Sequence, residues 1–128
     1  MEDNYLYSDL TSLIIKAFYK VYNELGYGFL EKVYENSMII ELKKLNLDVK
    51  QQYPIDVYYK NKIVGEYFAD IIVNNKVIIE LKAVSKISPI HEVQLVNYLK
   101  ATGIPVGLLL NFGNEKPQVT RRVFVDLL

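Results

Sequence analysis

The chain has 128 residues and no cysteine, and its 15 basic side chains balance 15 acidic ones. This length fits one domain with a self-sufficient core, and an apolar fraction of 51% argues against disorder. Zero cysteines exclude disulfides and thiolate metal sites, and a single histidine excludes multi-histidine zinc sites. Zero net charge weakens any case for strong nonspecific binding to nucleic acid, which depends on basic side chains that neutralise phosphates.

Segments that would direct the chain to a membrane are not visible in the sequence. No run of about 18 apolar residues occurs, so we expect no transmembrane helix. The N-terminal stretch MEDNYLYSDL lacks a basic segment followed by an apolar one, so no secretory signal is recognisable. We therefore expect a cytoplasmic protein with a single domain over residues 1–128.

Two helices are predicted at the start of the chain. Ser8–Leu25 carries apolar residues at helical spacing, Ser8 or Asp9 can cap its start, and Gly26 follows its end. A second helix is predicted from about Leu30 to Leu45. The first helix is expected to pack on the core, as such apolar stripes usually do.

Three antiparallel strands should follow as a meander. Alternating and apolar runs predict strands at Val49–Tyr59, Ile63–Val73 and Val77–Val84, joined by turns at Lys60–Lys62 and Asn74–Lys76. The last two strands form the most apolar hairpin of the sequence, and the candidate site lies within it.

The remaining elements complete a mixed α/β (α+β) domain. Ser88 followed by Pro89 predicts the start of a third helix that runs to about Ala101. The apolar run Pro105–Asn111 predicts a strand buried on both sides and parallel to an earlier one, and Val119–Leu127 predicts a closing strand.

Three ionisable residues, Asp70, Glu80 and Lys82, interrupt the apolar hairpin. Burying a lone charge is very costly unless a partner or a metal compensates it. If the loop has three residues, Asp70 lies directly opposite Glu80 and both carboxylates point the same way, with Cβ atoms about 5 Å apart. Two carboxylates so close repel each other unless a cation lies between them, and Mg²⁺ favours such all-oxygen sites.

The length of the loop decides this interpretation. A two-residue Asn74-Asn75 loop is also reasonable turn chemistry, but it would put Asp70 and Glu80 on opposite faces of the hairpin. The site hypothesis therefore requires a loop with an odd number of residues.

The spacing Asp-x9-Glu-x-Lys resembles the PD-(D/E)XK nuclease superfamily, which has the restriction-endonuclease-like fold. The chain is also similar to the small proteins named for a GxxExxY motif, which stands here as Gly28-Phe-Leu-Glu31-Lys-Val-Tyr34. The resemblance covers nearly the whole chain, with Ala69 in place of the nominal proline before the first acid. It implies an αβββαβ core, a central mixed sheet flanked by helices, an extra N-terminal helix and an extra C-terminal strand.

The resemblance also implies a function for the acids. Asp70 and Glu80 would hold one or two Mg²⁺ or Mn²⁺ ions together with the backbone carbonyl of Leu81, and Glu31 would complete the site through water. Lys82 would orient or activate the attacking water, or stabilise charge growing on the phosphate. The implied activity is hydrolysis of phosphodiester bonds in nucleic acid, with DNA favoured over RNA, and a homodimer is plausible.

Two further residues resemble the Q-x-x-x-Y motif of the RecB-like branch, namely Gln94 and Tyr98. By this resemblance they help to position the lysine and the phosphate backbone, and Tyr34 would lie beside the site. Structural interpretations of these residues are also open: Glu31 could complement the positive end of its helix, Gln94 could be solvated and Tyr98 could be a packed side chain.

Two other classes of function are compatible with the same sequence. The domain could be a noncatalytic nucleic-acid-binding or assembly module on a nuclease-like scaffold, because fold does not imply function. Alternatively, Lys82 could form a buried ion pair with Glu80 or Asp70 in a structural protein. Titration with Mg²⁺ separates these classes, because only a protein with a metal site is stabilised by the ion.

Overall fold

The computed structural model describes residues 6–125, in which three helices and five strands follow one another. In chain order these elements are α1 (Ser8–Leu25), α2 (Glu31–Lys44), β1 (Val49–Tyr59), β2 (Lys62–Val73), β3 (Val77–Lys82), α3 (Pro89–Thr102), β4 (Val106–Asn111) and β5 (Gln118–Val123). Every predicted helix and strand is present. Among the described residues, none of the helices combines the length and apolarity needed to cross a bilayer.

The five strands form one mixed sheet in the order β1-β2-β3-β4-β5. Strands β1 to β3 are an antiparallel meander, β4 runs parallel to β3 after the α3 crossover, and β5 returns antiparallel to β4. The predicted meander, the parallel β4 and the closing strand are therefore confirmed.

Helices cover both faces of the sheet. On one face, α1 and α2 bury Phe18 and Met38 against the sheet residue Leu108. On the other face, α3 buries Leu95 against Ile78. Because β3 and β4 are covered on both sides, their side chains are almost all buried, as the continuous apolar runs of the sequence predict.

The structure corrects the prediction at the ends of two strands and at the cap of one helix. Strand β3 ends at Lys82 rather than Val84, because the buried amide of Asn111 bonds both backbone groups of Val84, at 3.1 and 2.8 Å, and draws the chain out of the sheet. Strand β5 ends at Val123, whereas the prediction ran to Leu127, which lies outside the described residues. The N-cap of α1 is Tyr7 and makes no side-chain cap bond, so the expected cap by Ser8 or Asp9 is wrong.

The hairpin between β2 and β3 has the odd-length loop that the site hypothesis requires. Val73 pairs with Val77, which leaves the three residues Asn74–Lys76 in the loop. Asn74 and Asn75 adopt φ values of 53° and 52°, a left-handed conformation that asparagine tolerates better than most residues. The three-residue loop is therefore confirmed, and the two-residue alternative is excluded.

The most prominent feature of the sheet is a fork between β2 and β3. Their pairing begins at Val73 and Val77 and ends at Ile71 and Ile79, although β2 extends nine residues further back to Lys62. In that region β2 pairs only with β1, so residues 53–69 form a two-stranded ribbon that projects beyond β3. Asp70 lies at the branch point, where the ribbon leaves the sheet.

Candidate functional site

Asp70 and Glu80 are joined across the fork by side-chain hydrogen bonds that take the place of the β-ladder. The backbone N–H of Asp70 donates to Oε2 of Glu80 at 2.8 Å. The backbone N–H of Leu81 donates to Oδ2 of Asp70 at 2.9 Å. Each carboxylate therefore accepts a backbone hydrogen bond from the opposite strand, and the two acids lie side by side at the branch point.

The surroundings of the two acids disfavour two negative charges. Burial, followed by the charge of Asp70, raises the pKa of Glu80 from 4.5 to about 8. Burial also raises the pKa of Asp70, against the opposing effect of the hydrogen bond from Leu81. Lys82 acts on Glu80 in the opposite direction, since its positive charge lowers the pKa of that carboxyl. The fork thus holds two partly buried acids whose ionised forms would be stabilised by a nearby positive charge.

Lys82 is half-buried on the same strand as Glu80, two residues further along, and so shares a face with it. None of the ion pairs formed by residues 6–125 includes Lys82. The buried ion pair of the structural interpretation is therefore not formed, although the lysine is close enough to influence Glu80 electrostatically.

A third carboxylate near the fork, that of Glu35, was not singled out as a site residue from the sequence. Glu35 is only 4% exposed, on the face of α2 that packs on the sheet. The side-chain amide of Gln52 donates both to Oε1 of Glu35 at 2.9 Å and to Oδ1 of Asp70 at 3.2 Å. Lys32 also donates to Glu35 at 2.8 Å, so this acid is fully engaged within the domain.

An irregular backbone conformation at Gln52 makes this bridge possible. Alternate residues of a regular strand point to opposite faces, yet the side chains of Gln51 and Gln52 both reach Glu35 on α2. Gln52 has a φ of 51°, and it lies opposite Asp70 at a gap in the β1–β2 pairing. A left-handed conformation at a residue other than glycine is strained and often marks a functional position.

Glu31, the predicted helical acid, is the first residue of α2 and is exposed. Its charge raises the pKa of Asp70, but by less than that of Glu35 does. Glu31 therefore acts on Asp70 more weakly than Glu35, which lies one helical turn further along α2. The role of Glu31 as a metal ligand through water stays a prediction.

Tyr34, the last residue of the GxxExxY motif, is completely buried. Its ring stacks on Phe112 with centroids 4.2 Å apart, and its hydroxyl donates to the carbonyl of Gly26 and accepts from the N–H of Phe29. Tyr34 thus holds the loop between α1 and α2 in place. It can affect a substrate only through the position of that loop.

Gln94 and Tyr98 lie on α3, on the opposite side of the fork from α2. The side-chain amide of Gln94 donates to the hydroxyl of Tyr98 at 2.7 Å. Burial, followed by the charges of Glu80 and then Asp70, raises the pKa of Tyr98, so this hydroxyl lies within the field of both acids. Gln94 and Tyr98 are thus bonded to each other, and the charges of both acids act on Tyr98.

The oxygen ligands available at the fork fit a hard divalent cation. Mg²⁺ is usually held by one or two carboxylates, several waters and substrate phosphates, rather than by a complete protein cage. Asp70 and Glu80 meet that requirement, and because burial raises the pKa of both acids, a bound cation would favour their ionised forms. Among the described residues, no three His, Cys, Asp or Glu side chains form a ready-made metal cluster.

The chain is thus a mixed α/β domain whose sheet is covered by helices on both faces, with two acids and a lysine at a fork between antiparallel strands. The sequence model of the PD-(D/E)XK nuclease superfamily matches residues 8–123. The chain belongs to this superfamily, so the predicted superfamily and its restriction-endonuclease-like fold are confirmed.

The comparison with solved structures supports the same fold. The chain is similar to the crystal structure of SSO0001, with a TM-score of 0.55 and 17% sequence identity over 74% of this chain. The match spans 50% of that structure, and at this identity the likeness shows the fold alone. No curated protein matches the sequence.

The sequence contained a weak signal for only one of the two residues that were missed. Glu35 follows Glu31 by one helical turn, so either could have faced the sheet, and only the packing of α2 decides between them. Gln52 carried no signal, because its importance depends on a left-handed φ inside a strand, which its residue type does not predict.

Proposed function

We propose that this protein is a metal-dependent nuclease that hydrolyses phosphodiester bonds, with DNA favoured over RNA as its substrate. Membership of the superfamily implies a nucleic-acid substrate. The observation that carries the proposal is the pairing of Asp70 and Glu80 across the fork, with Lys82 on the same face of β3.

In this proposal Asp70 and Glu80 hold Mg²⁺ or Mn²⁺ with the backbone carbonyl of Leu81, and Glu31 contributes through water. When bound, the ion supplies Lewis-acid activation and balances the charge of the phosphate. Glu35 is an additional acid on the α2 side, connected to Asp70 through the amide of Gln52. Its connection supports a role in orienting Asp70.

Lys82 is proposed to orient or activate the attacking water, or to stabilise charge growing on the phosphate. Its ammonium makes no ion pair within the described residues, so it is available to a substrate. A positive group placed where charge develops in the transition state accelerates reaction, because it need not reorganise. Lys82 is therefore the residue whose loss should reduce turnover most directly.

The finer resemblances give roles to the neighbouring residues. Under the GxxExxY and RecB-like comparisons, Gln94 and Tyr98 position the lysine and the phosphate backbone. Their hydrogen bond and the proximity of Tyr98 to the two acids support this role. Tyr34 supports the site through the loop that leads into α2.

A cleavage screen tests the proposal directly. Single-stranded, duplex and branched DNA, and single-stranded RNA, would be incubated with the protein in Mg²⁺, in Mn²⁺ and in EDTA. We expect cleavage only with a divalent ion, and a loss of about 100-fold or more in Asp70→Asn, Glu80→Gln and Lys82→Met, as for removal of one charge-stabilising group.

Glu24→Gln is the matched control, because Glu24 is an exposed acid on α1, away from the fork. This variant should cleave like the wild type, which excludes an effect of net charge. Cleavage that is undiminished in all three site variants would overturn the proposal, because the activity would not depend on the fork. No cleavage by the wild type on any substrate, with binding retained, would instead favour the noncatalytic module.

A further inference from the structure

A groove of about 890 Å³ lies between the ribbon and α3, next to the fork but separate from the acids. Its walls include Tyr58 and Val64 from the ribbon and Ile90 and Val93 from α3, all of which are more than half exposed. Concave sites lined mainly by apolar and aromatic side chains, with a few polar groups, are the usual form of ligand sites. Its volume lies within the range of roughly 300–1,000 Å³ that is usual for ligand sites.

The groove shares two of its lining residues with the candidate site. Gln94 and Tyr98 line the groove, and the Tyr98 hydroxyl lies within the field of Glu80 and Asp70. The ring of Tyr67, from the ribbon, contacts that of Tyr98 with centroids 5.8 Å apart. A molecule in the groove would therefore contact Gln94 and Tyr98, the two predicted substrate-positioning residues.

The polar groups of the groove suit uncharged bases better than phosphates. The amides of Gln94 and Asn97 can each donate and accept hydrogen bonds, as the edges of bases require. One acid, Asp56, and one base, Lys100, are the charged side chains of its lining, so the groove has little net charge.

The balanced charge of the whole chain also favours an unpaired strand over a duplex as the ligand of the groove. With 15 basic and 15 acidic residues, the protein lacks the excess of positive charge that supports tight binding to duplex backbones. Binding to unpaired strands can instead draw on stacking between bases and aromatic side chains, which does not depend on net charge. Exposed tyrosine rings beside a hydrolytic site supply that interaction.

We propose that this groove binds an unpaired stretch of the nucleic-acid substrate, with bases stacked on Tyr58 and Tyr67 and the backbone leading into the fork. This inference rests on the proposed function, since it assigns the substrate class of the same site. It makes single strands, flaps or gaps the preferred substrates over a closed duplex.

Basic residues at the far end of the ribbon fit such a strand. Lys60 and Lys62 lie at the ribbon tip and are exposed. Lys62 is eight positions from Asp70 along β2, a distance of roughly 26 Å at the usual rise of a strand. A strand of several nucleotides would span the groove and place a phosphate near these lysines.

A binding measurement without metal tests the groove independently of cleavage. The full chain, in EDTA and about 150 mM salt, would be titrated into a fluorescein-labelled single-stranded 12-mer and, separately, into the duplex of the same sequence. A length of about 12 nucleotides matches the site size of a single-strand-binding fold. Fluorescence anisotropy should show tighter binding to the single strand. Tyr58→Leu should weaken that binding by about 5- to 100-fold, the equivalent of one lost stacking contact.

Two sets of controls separate stacking from other effects. Tyr58→Phe keeps the ring and should bind the single strand like the wild type. Tyr59→Leu changes the adjacent residue, which is 64% exposed against 62% for Tyr58 but does not line the groove, and it should also leave binding unchanged. The folding of each variant would be checked by urea denaturation.

Four results would overturn the groove assignment: equal or tighter binding to the duplex, wild-type binding by Tyr58→Leu, an equal loss in Tyr59→Leu, or an equal loss in Tyr58→Phe. Sedimentation of the same proteins tests the other possible occupant of the groove, a second copy of the chain. If Tyr58→Leu disrupts self-association and leaves strand binding intact, the groove is an interface between two copies of the chain, and the proposal fails.

The binding and cleavage experiments distinguish a failure of the groove proposal from a failure of the proposed nuclease function. Cleavage in Mg²⁺ or Mn²⁺ that is indifferent to Tyr58→Leu would leave the nuclease standing and remove the groove. Conversely, strand binding in EDTA that depends on Tyr58, without cleavage under any metal, would support the groove and remove the nuclease activity.

Discussion

The backbone N–H of Asp70 donates a hydrogen bond to the carboxylate of Glu80 at 2.8 Å, at the point where β2 and β3 separate. The carboxylate of Asp70 in turn accepts from the backbone of β3, at Leu81. The acids therefore both form the candidate site and maintain the local structure of the fork. Alanine at either position would remove a structural hydrogen bond as well as a ligand, which is why amide replacements are the better test.

The apoprotein should lose stability as the pH rises. Between the ordinary value of 4.5 and the raised pKa of about 8, folded Glu80 keeps a proton that the unfolded chain has released. The unfolded state then binds fewer protons, so the free energy of unfolding falls with pH by at most about 1.4 kcal/mol per unit. Urea denaturation in EDTA from pH 5 to pH 8 (about the range between the two values) measures this slope.

Glu80→Gln provides the control for that slope, because it removes the titrating group and keeps an acceptor for the N–H of Asp70. The variant should show a flatter dependence of stability on pH, with the remaining slope due to the raised pKa of Asp70. A wild-type protein whose stability rises over this range would contradict the prediction.

Divalent ions should stabilise the folded protein at neutral pH. An ion that binds only the native state adds about 2.7 kcal/mol of stability at 100 times its dissociation constant. The melting temperature should therefore rise with Mg²⁺ or Mn²⁺ in the wild type and in Glu24→Gln, and remain unchanged in Glu80→Gln. An equal rise in all three proteins would place the bound ion away from the fork.

Because the backbone at Gln52 is left-handed, glycine should be more stabilising than alanine at this position. At a φ of 51°, Gln52→Gly should be more stable than Gln52→Ala by about 1 kcal/mol, because only glycine adopts this conformation without strain. At the neighbouring Gln51, which lies in regular β1, the order should be reversed. Urea denaturation of the four variants measures both differences.

The hydroxyl of Tyr34 should contribute to stability. Tyr34→Phe keeps the stack on Phe112 but leaves the carbonyl of Gly26 and the N–H of Phe29 without this partner. We expect a loss of about 1–3 kcal/mol in the free energy of unfolding. Tyr19→Phe, at an exposed position on α1, should change it by less than about 0.5 kcal/mol. Equal effects of the two substitutions would show that the loop bonds contribute nothing.

Much of the fold could be predicted from the sequence because its local signals agree with its packing. The bounds of Ser8–Leu25 and Val49–Tyr59 are those predicted. Ser88 and Pro89 begin α3 as expected, and His91 adds a reciprocal cap bond that the residue types alone did not reveal. The error at Val84 occurs where a long-range contact with Asn111, rather than local preference, ends the strand.

The candidate site was less predictable, because it depends on contacts between distant elements. The pairing of Asp70 with Glu80 followed from the parity of the hairpin and needed only the length of one loop. The engagement of Glu35 depends on which face of α2 meets the sheet and on the bend at Gln52. Neither property can be derived from spacing along the chain.

The ribbon projects from the sheet, so a small rotation at its base would displace its tip by a much larger distance. Its tip lies roughly 26 Å from the branch point, at the usual rise of about 3.3 Å per residue, so a rotation of about ten degrees there would displace the tip by roughly 4–5 Å. Asp70, at the pivot, would scarcely move. A rotation of this kind would change the width of the groove between the ribbon and α3 and leave the alignment of the two acids unchanged.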